Sequence, residues 1–377
     1  MKLLRTESAA DTLRDKFTQV RRDLAAALVE REDEVDVVLT ALLASEHVLL
    51  VGPPGCGKSL LLDSLLLCLG GRKFSLLLTK FTTPEEVVGP ISLKGLKEDR
   101  FVRITTGKLP EADLAFLDEA FKGSSAILNT LLKLLNERTI EVGDGSVRTV
   151  PLKLLVAASN EWPSPETGKE LAAIFDRFAL RRAVAPIRTH VGRQRLLWSR
   201  SLTPTVSAAI STAEVEAARR AAESLPWSDA AREAIETILA ELAREGVRPG
   251  DRRQRTAVGV ARAFAWLEGA EAVQPEHLAV LADVLWDDPE QAAKVTQVIA
   301  KVANPSSMRI NQLLLEVESL LGPVDVRDLA QAAKTAAKLA EIDRQLASLA
   351  GNGRQERARA YVRDQIKKLR MASIEAV

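Results

Sequence analysis

Apolar residues in the first 45 positions recur at helical spacing: Leu13, Phe17, Val20, Leu24 and Leu28, then Val35, Val38, Leu39 and Leu42. That spacing predicts two helices leading into a core. At His47 the period changes. Residues 47–51 form a short apolar run that stops at Gly52, and comparable runs recur at 74–78, 114–117, 152–157 and 178–184. Apolar runs of this length read as strands buried on both faces of a parallel sheet. Separated by helical or polar stretches, they predict an α/β unit over residues 1–188, with ligands gathering at the carboxyl ends of the strands. Two stretches inside it, 90–104 and 139–150, alternate polar and apolar residues around a charged or Gly-Asp-Gly centre and are expected to be hairpin inserts. Past Pro186 the strand pattern is absent. Segments 190–200, 213–223, 228–245, 252–268 and 275–286 read as helices of an all-α lid spanning 189–304. Asn304-Pro305 breaks the pattern, and a three-helix region is expected over 305–377.

Charge removes some functions from consideration. The 52 basic and 51 acidic residues leave a net charge of +1, so the bulk field does not favour nucleic acid or an acidic membrane. No apolar run approaches the roughly 20 residues that cross a bilayer. The charged opening, MKLLRTESAADTLRDKF, is unlike a secretory signal, and a cytoplasmic protein without a transmembrane segment is expected. Cys56 and Cys68 are the two cysteines and have neither metal-site nor disulfide spacing.

The chemistry concentrates where the strands end. Gly52-Pro53-Pro54-Gly55-Cys56-Gly57-Lys58-Ser59 fits GxxxxGK[ST] between a strand and a helix opening at Leu60. In such a loop, backbone N–H groups and a helix N-terminus face phosphate oxygens. Lys58 would bridge the β and γ phosphates of ATP, and the Ser59 hydroxyl would ligate Mg²⁺. The run 114–117 ends in Asp118 and Glu119. Asp118 would hold Mg²⁺ through its waters, and Glu119 would polarise the water that attacks the γ-phosphate. Asn160, which follows another strand, would orient the same water.

These residues resemble the MoxR family of AAA+ ATPases, most closely its RavA-like branch, over about residues 10–305. The resemblance is carried by LLVGPPGCGKS, by the run from GPISLKGLKEDR through DLAFLDEAFKGSSAILNTLLKLLNER, and by VAASNE, FDRF and PGDRR in that order. It implies that Lys58 and Ser59 belong to Walker A, Asp118 and Glu119 to Walker B, and that Asn160 is sensor 1. It adds Arg177 as an arginine finger reaching a neighbouring subunit's site, and Arg252 as the sensor 2 residue of the lid, with Arg253 as the fallback. It further implies a homo-oligomeric ring, hexameric in the family, and a remodelling or maturation ATPase acting with a von Willebrand A-domain protein. Some relatives carry a β-rich insertion in the C-terminal helical region; here no strand pattern follows residue 190, so a contact made through that insertion is not carried over.

Two other readings stay open. The tail RQERARAYVRDQIKKLR and the hairpin charges Lys94, Lys97, Arg100 and Arg103 suit a nucleic-acid motor or loader, while a nucleotide-gated scaffold would need neither Glu119 nor Arg177. The sequence does not name the client protein.

Overall fold

The computed structural model describes residues 9–141, 147–163, 169–199, 206–303, 305–321, 329–349 and 353–375. The chain opens with α1 (Ala9–Ala27) and α2 (Glu32–Ala44), then enters β1 (Val48–Val51), α3 (Lys58–Cys68) and β2 (Lys73–Leu77). Short helices α4 (Pro84–Val88) and α5 (Leu93–Lys97) lead to β3 (Leu114–Asp118), α6 (Ser125–Glu137), β4 (Thr139–Glu141), β5 (Val147–Thr149), β6 (Leu154–Ser159), α7 (Lys169–Arg177) and β7 (Leu180–Ala183). The main sheet is parallel with strand order β2-β3-β6-β1-β7. Pairing is continuous through its centre, Leu50 opposite Ala158 and Leu117 opposite Ala157. Every residue of β1 and β6 is buried, as the unbroken apolar runs require of strands covered on both faces.

Among the described residues, eight α-helices follow. They are α8 (His190–Trp198), α9 (Thr212–Glu223), α10 (Asp229–Arg244), α11 (Asp251–Leu267), α12 (Ala292–Ala303), α13 (Pro305–Leu321), α14 (Leu329–Ala347) and α15 (Gly353–Glu375). Ser211 and Ser228 cap α9 and α10 with their side chains. One apolar core runs from Phe17 to Ala303 and joins the sheet unit to α9–α12. A separate cluster, including Leu313, Val317, Leu339, Ile342 and Val362, holds α13–α15 together. Among the described residues no helix is long and apolar enough to cross a membrane, and no strand follows β7.

Two expected elements take a different form. Residues 275–283 wind as a 3-10 helix rather than an α-helix. Its inward side chains Leu278 and Leu281, and Val284 just past its end, fall every third position and are fully buried, the spacing that three residues per turn place on one line. The excursion at 90–104 has antiparallel legs, with Ile91 opposite Arg103 and the Ser92 and Ile104 amides donating to Val102 and Pro90 at 2.7 and 2.8 Å. Its tip is helix α5, capped by the Ser92 hydroxyl, where a simple hairpin would have a turn. At 139–150, β4 and β5 pair antiparallel; the Gly-Asp-Gly turn lies outside the described residues.

Candidate nucleotide site

The loop 52–57 leaves β1 under tight backbone constraint. The Gly52 amide donates to the Ser159 carbonyl at 3.1 Å, and a side chain at Gly52 would meet the Val184 carbonyl oxygen at 2.2 Å. Only glycine lets β1, β6 and β7 converge there. Gly57 precedes α3 in the left-handed region, φ 77°, and α3 has neither a capping side chain nor an acid in its first turn. Its N-terminal amides are thus left for an external anion, which the helix dipole favours. Arg31 anchors the loop from behind: its guanidinium donates to the Cys56 carbonyl at 2.8 and 3.1 Å and to the Ala185 carbonyl at 2.8 Å.

The sheet brings the other polar residues onto this loop. Lys58 Nζ donates to the Gly52 and Pro53 carbonyls at 2.6 and 3.1 Å and to Asn160 Oδ1 at 3.0 Å, an acceptor for each ammonium proton. The Asn160 amide nitrogen donates to Glu119 Oε1, so one side chain bridges the lysine and the glutamate. Lys122 reaches the other Glu119 oxygen at 3.3 Å. Ser59 Oγ lies 3.3 Å from Asp118 Oδ2; a hydroxyl beside a carboxylate at the foot of a phosphate loop is the hard oxygen donor set that Mg²⁺ takes. Glu119 sits at φ 52°, ψ 44°, a strained conformation for a non-glycine residue and one that recurs at functional positions.

Beside the loop, a cavity of about 380 Å³ is lined by apolar groups including Leu28, Val29, Pro186, Ile187 and Leu196, and by Arg193. Its size and lining suit a purine base. Helix α8 forms one wall and is tied to the α1–α2 turn, where Glu30 accepts from the Arg188 and Thr189 amides at 2.9 and 3.0 Å.

Arg177 and Arg252 do not join this cavity. Together with Glu46, Asp176, Arg253 and Asp287 they line a second one, of about 300 Å³. Arg252 is exposed there, whereas Arg253 is buried and salt-bridged to Asp287 at 2.7 Å and Asp176 at 3.0 Å. Burial raises the pKa of the Glu46 carboxyl, while the charges of Arg252 and Arg138 pull it down. Of the residues singled out in the sequence, Gly52 to Ser59, Asp118, Glu119 and Asn160 therefore meet at one site; Leu60 lines the base cavity, and the two arginines meet at another.

Residues 15–218 match a family model described as the MoxR domain of MoxR–vWA–β-propeller ternary systems. The chain belongs to the MoxR family of AAA+ ATPases. A further match over residues 232–299 is to an AAA lid domain. An uncharacterized protein of Methanocaldococcus jannaschii is 38% identical over 76% of this chain and 75% of its own length. A second from that organism is 33% identical over 95% and 90%. Protein MoxR of Paracoccus denitrificans is 30% identical over 72% of this chain and 87% of its own. The solved structure of a proposed ATPase from Cytophaga hutchinsonii has a TM-score of 0.62 at 18% identity, covering 78% of this chain and 94% of that one. At that identity the likeness bears on the fold, and it agrees with the parallel sheet and lid described above. The RavA-like placement within the MoxR family rests on the sequence motifs alone.

Sequence reading missed Arg31, Lys122 and Arg193. Arg31 sits in the charged run EREDE, which reads as solvated surface. Lys122 had a signal, since it stands three residues after Glu119 in the same motif.

Proposed function

We propose that this MoxR protein hydrolyses ATP as a ring of identical subunits and uses the cycle to remodel or mature a protein complex together with a von Willebrand A-domain partner. The partner is suggested by the description of the matching family model, and the chaperone role by the name of one relative, chaperone MoxR1 of Mycobacterium tuberculosis. In this reading residues 1–188 are the nucleotide-binding core, 189–304 the lid and 305–377 a helical appendage, in a cytoplasmic hexamer.

The observation that carries the reading is the side-chain chain Lys58–Asn160–Glu119 closing over a helix N-terminus that has no anion of its own. When bound between Ser59 and Asp118, Mg²⁺ supplies charge neutralisation for the phosphates. The loop amides and Lys58 hold the β and γ phosphates. Once phosphate draws Lys58 off the loop carbonyls, Asn160 and Glu119 are positioned to orient a water and take up its proton. Arg177 faces a cavity without phosphate-loop residues, which supports the reading that it serves an adjacent subunit's γ-phosphate; Arg252, exposed on the same cavity, is the lid residue read as the nucleotide contact of sensor 2. A trans arginine of this kind contributes on the order of 10³- to 10⁵-fold in related NTPases.

The test is Mg²⁺-dependent ATP turnover per subunit across protein concentration, for the wild type, Glu119→Gln and Arg177→Ala. The expected result is a specific rate that climbs with concentration and is lost in both variants. A rate independent of concentration, with Arg177→Ala unaffected, would remove the shared site and leave a self-contained ATPase.

A further inference from the structure

The last turn of α7 carries Phe175, Asp176 and Arg177, and the lid grips the first two while the third lies half-buried on the cavity wall. Asp176 Oδ1 receives Arg253 Nη2 at 3.0 Å, and Arg253 continues to Asp287 at 2.7 Å and to the Val284 carbonyl at 3.2 Å. Phe175 is wedged between Trp162 and Trp286, with ring centroids 6.2 Å away in each case, and those two tryptophans meet edge to face at 5.5 Å. Arg181, 1% exposed, lies 4.0 Å over the Phe175 ring and donates to the Trp286 carbonyl at 2.7 Å. Burial pulls its guanidinium down to about 9, and the charge of Arg253 adds to the fall, yet it stays a cation at neutral pH. Arg177 itself touches Asp176 at 3.7 Å, and its buried Nε makes no hydrogen bond among the described residues.

We propose that Arg253 is a positioning residue for Arg177: the lid clamps the end of α7 through Asp176 and thereby fixes where the neighbouring Arg177 guanidinium sits on the cavity wall that faces the adjoining subunit. This rests on the reading of Arg177 as a trans arginine. A buried ion between two carboxylates is geometrically demanding, and a displacement of about 1 Å in such a group can cost on the order of 10²-fold in rate. Arg253 thus acts on turnover without touching nucleotide, and Arg252, exposed on the cavity wall, is left as the lid residue able to contact it.

The discriminating experiment compares kcat and the KM for ATP of Arg253→Met, Arg177→Ala and the double variant, with melting curves for each. Arg253→Met should lower kcat about tenfold or more at unchanged KM, and the double variant should be no slower than Arg177→Ala, because a positioning residue has nothing to add once its client is gone. Multiplying effects, or a raised KM for Arg253→Met, would make Arg253 a nucleotide contact and overturn the proposal. Wild-type turnover in Arg177→Ala would instead overturn the trans-arginine reading beneath it. Should Arg253→Met fail to fold, Asp176→Asn tests the same link from its exposed end, with the same non-additivity expected against Arg177→Ala.

Discussion

Asn160 occupies the point where the two halves of the site meet, its oxygen on Lys58 and its nitrogen on Glu119. Asn160→Ala removes both contacts but leaves the phosphate loop intact. The expected outcome is a kcat lower by about 10²-fold or more with a small change in KM, the size associated with a group that orients a proton-transfer partner; steady-state kinetics reads it. At the start of β1, His47 is a different kind of polar residue. It is fully buried, its pKa pressed down to about 3 by burial with Arg138 and Arg219 adding to the effect. Its Nδ1 accepts the Leu155 amide at 3.1 Å, so the ring is neutral with its proton on Nε2. An unfolded histidine titrates near 6.5, so as pH falls the unfolded chain takes up the proton first and stability drops across the window from about 6.5 towards 3. Above that window the group contributes no pH dependence. By pH 5 the loss amounts to about 2 kcal/mol. Melting curves of the wild type should therefore fall between pH 7 and 5 by more than those of His47→Asn, whose Oδ1 keeps an acceptor at the Nδ1 position without the titration.

Elements were legible where a pattern has one physical cause. The central strands β1, β3 and β6 were visible because a parallel strand covered on both faces needs an unbroken apolar run, and they are buried almost throughout. The phosphate loop was visible because anion binding fixes both residue types and spacing, and Asp118 and Glu119 because two acids at a buried strand end are costly without a cation. What sequence could not give was the destination of groups whose partners lie far along the chain. Arg253 finds Asp176 across 77 positions, and Arg31 finds Ala185 across 154; nothing local marks either pairing. The exchange of α-helix for 3-10 helix at 275–283 turned on a spacing of three that a short window hardly separates from 3.6. At this scale Gly52 gives the sharpest test. A Cβ there would overlap the Val184 carbonyl oxygen, so Gly52→Ala has to push β1 from β7 or move the loop. The expected result is destabilisation of about 1–3 kcal/mol together with weaker ATP binding, measured by chemical denaturation and by titration with a fluorescent ATP analogue.

The fold as a whole separates the two kinds of charge that the reaction needs. The residues proposed to hold phosphate and water gather at the carboxyl ends of β1, β3 and β6, whereas Arg177 and Arg252 open on another cavity shared by α7 and the lid. In the proposed head-to-tail ring, one subunit's Arg177 would reach the next subunit's phosphate loop without altering either subunit, since a heterologous interface repeats the same contact at every junction. Complementation follows from that division of labour. Glu119→Gln subunits retain Arg177 but have no group to polarise water; Arg177→Ala subunits retain Glu119 but offer nothing to their neighbour. Each preparation alone should be nearly inactive. Mixed at equal amounts and allowed to exchange, a site works when an Arg177→Ala subunit is followed by a Glu119→Gln one. With random assembly and independent sites, that restores about a quarter of the wild-type turnover. Recovery should rise and fall with the mixing ratio, greatest at one to one, because it depends on the product of the two fractions. A mixture no more active than its components would place both residues in the service of the same subunit, and the arginine cavity would then be structural.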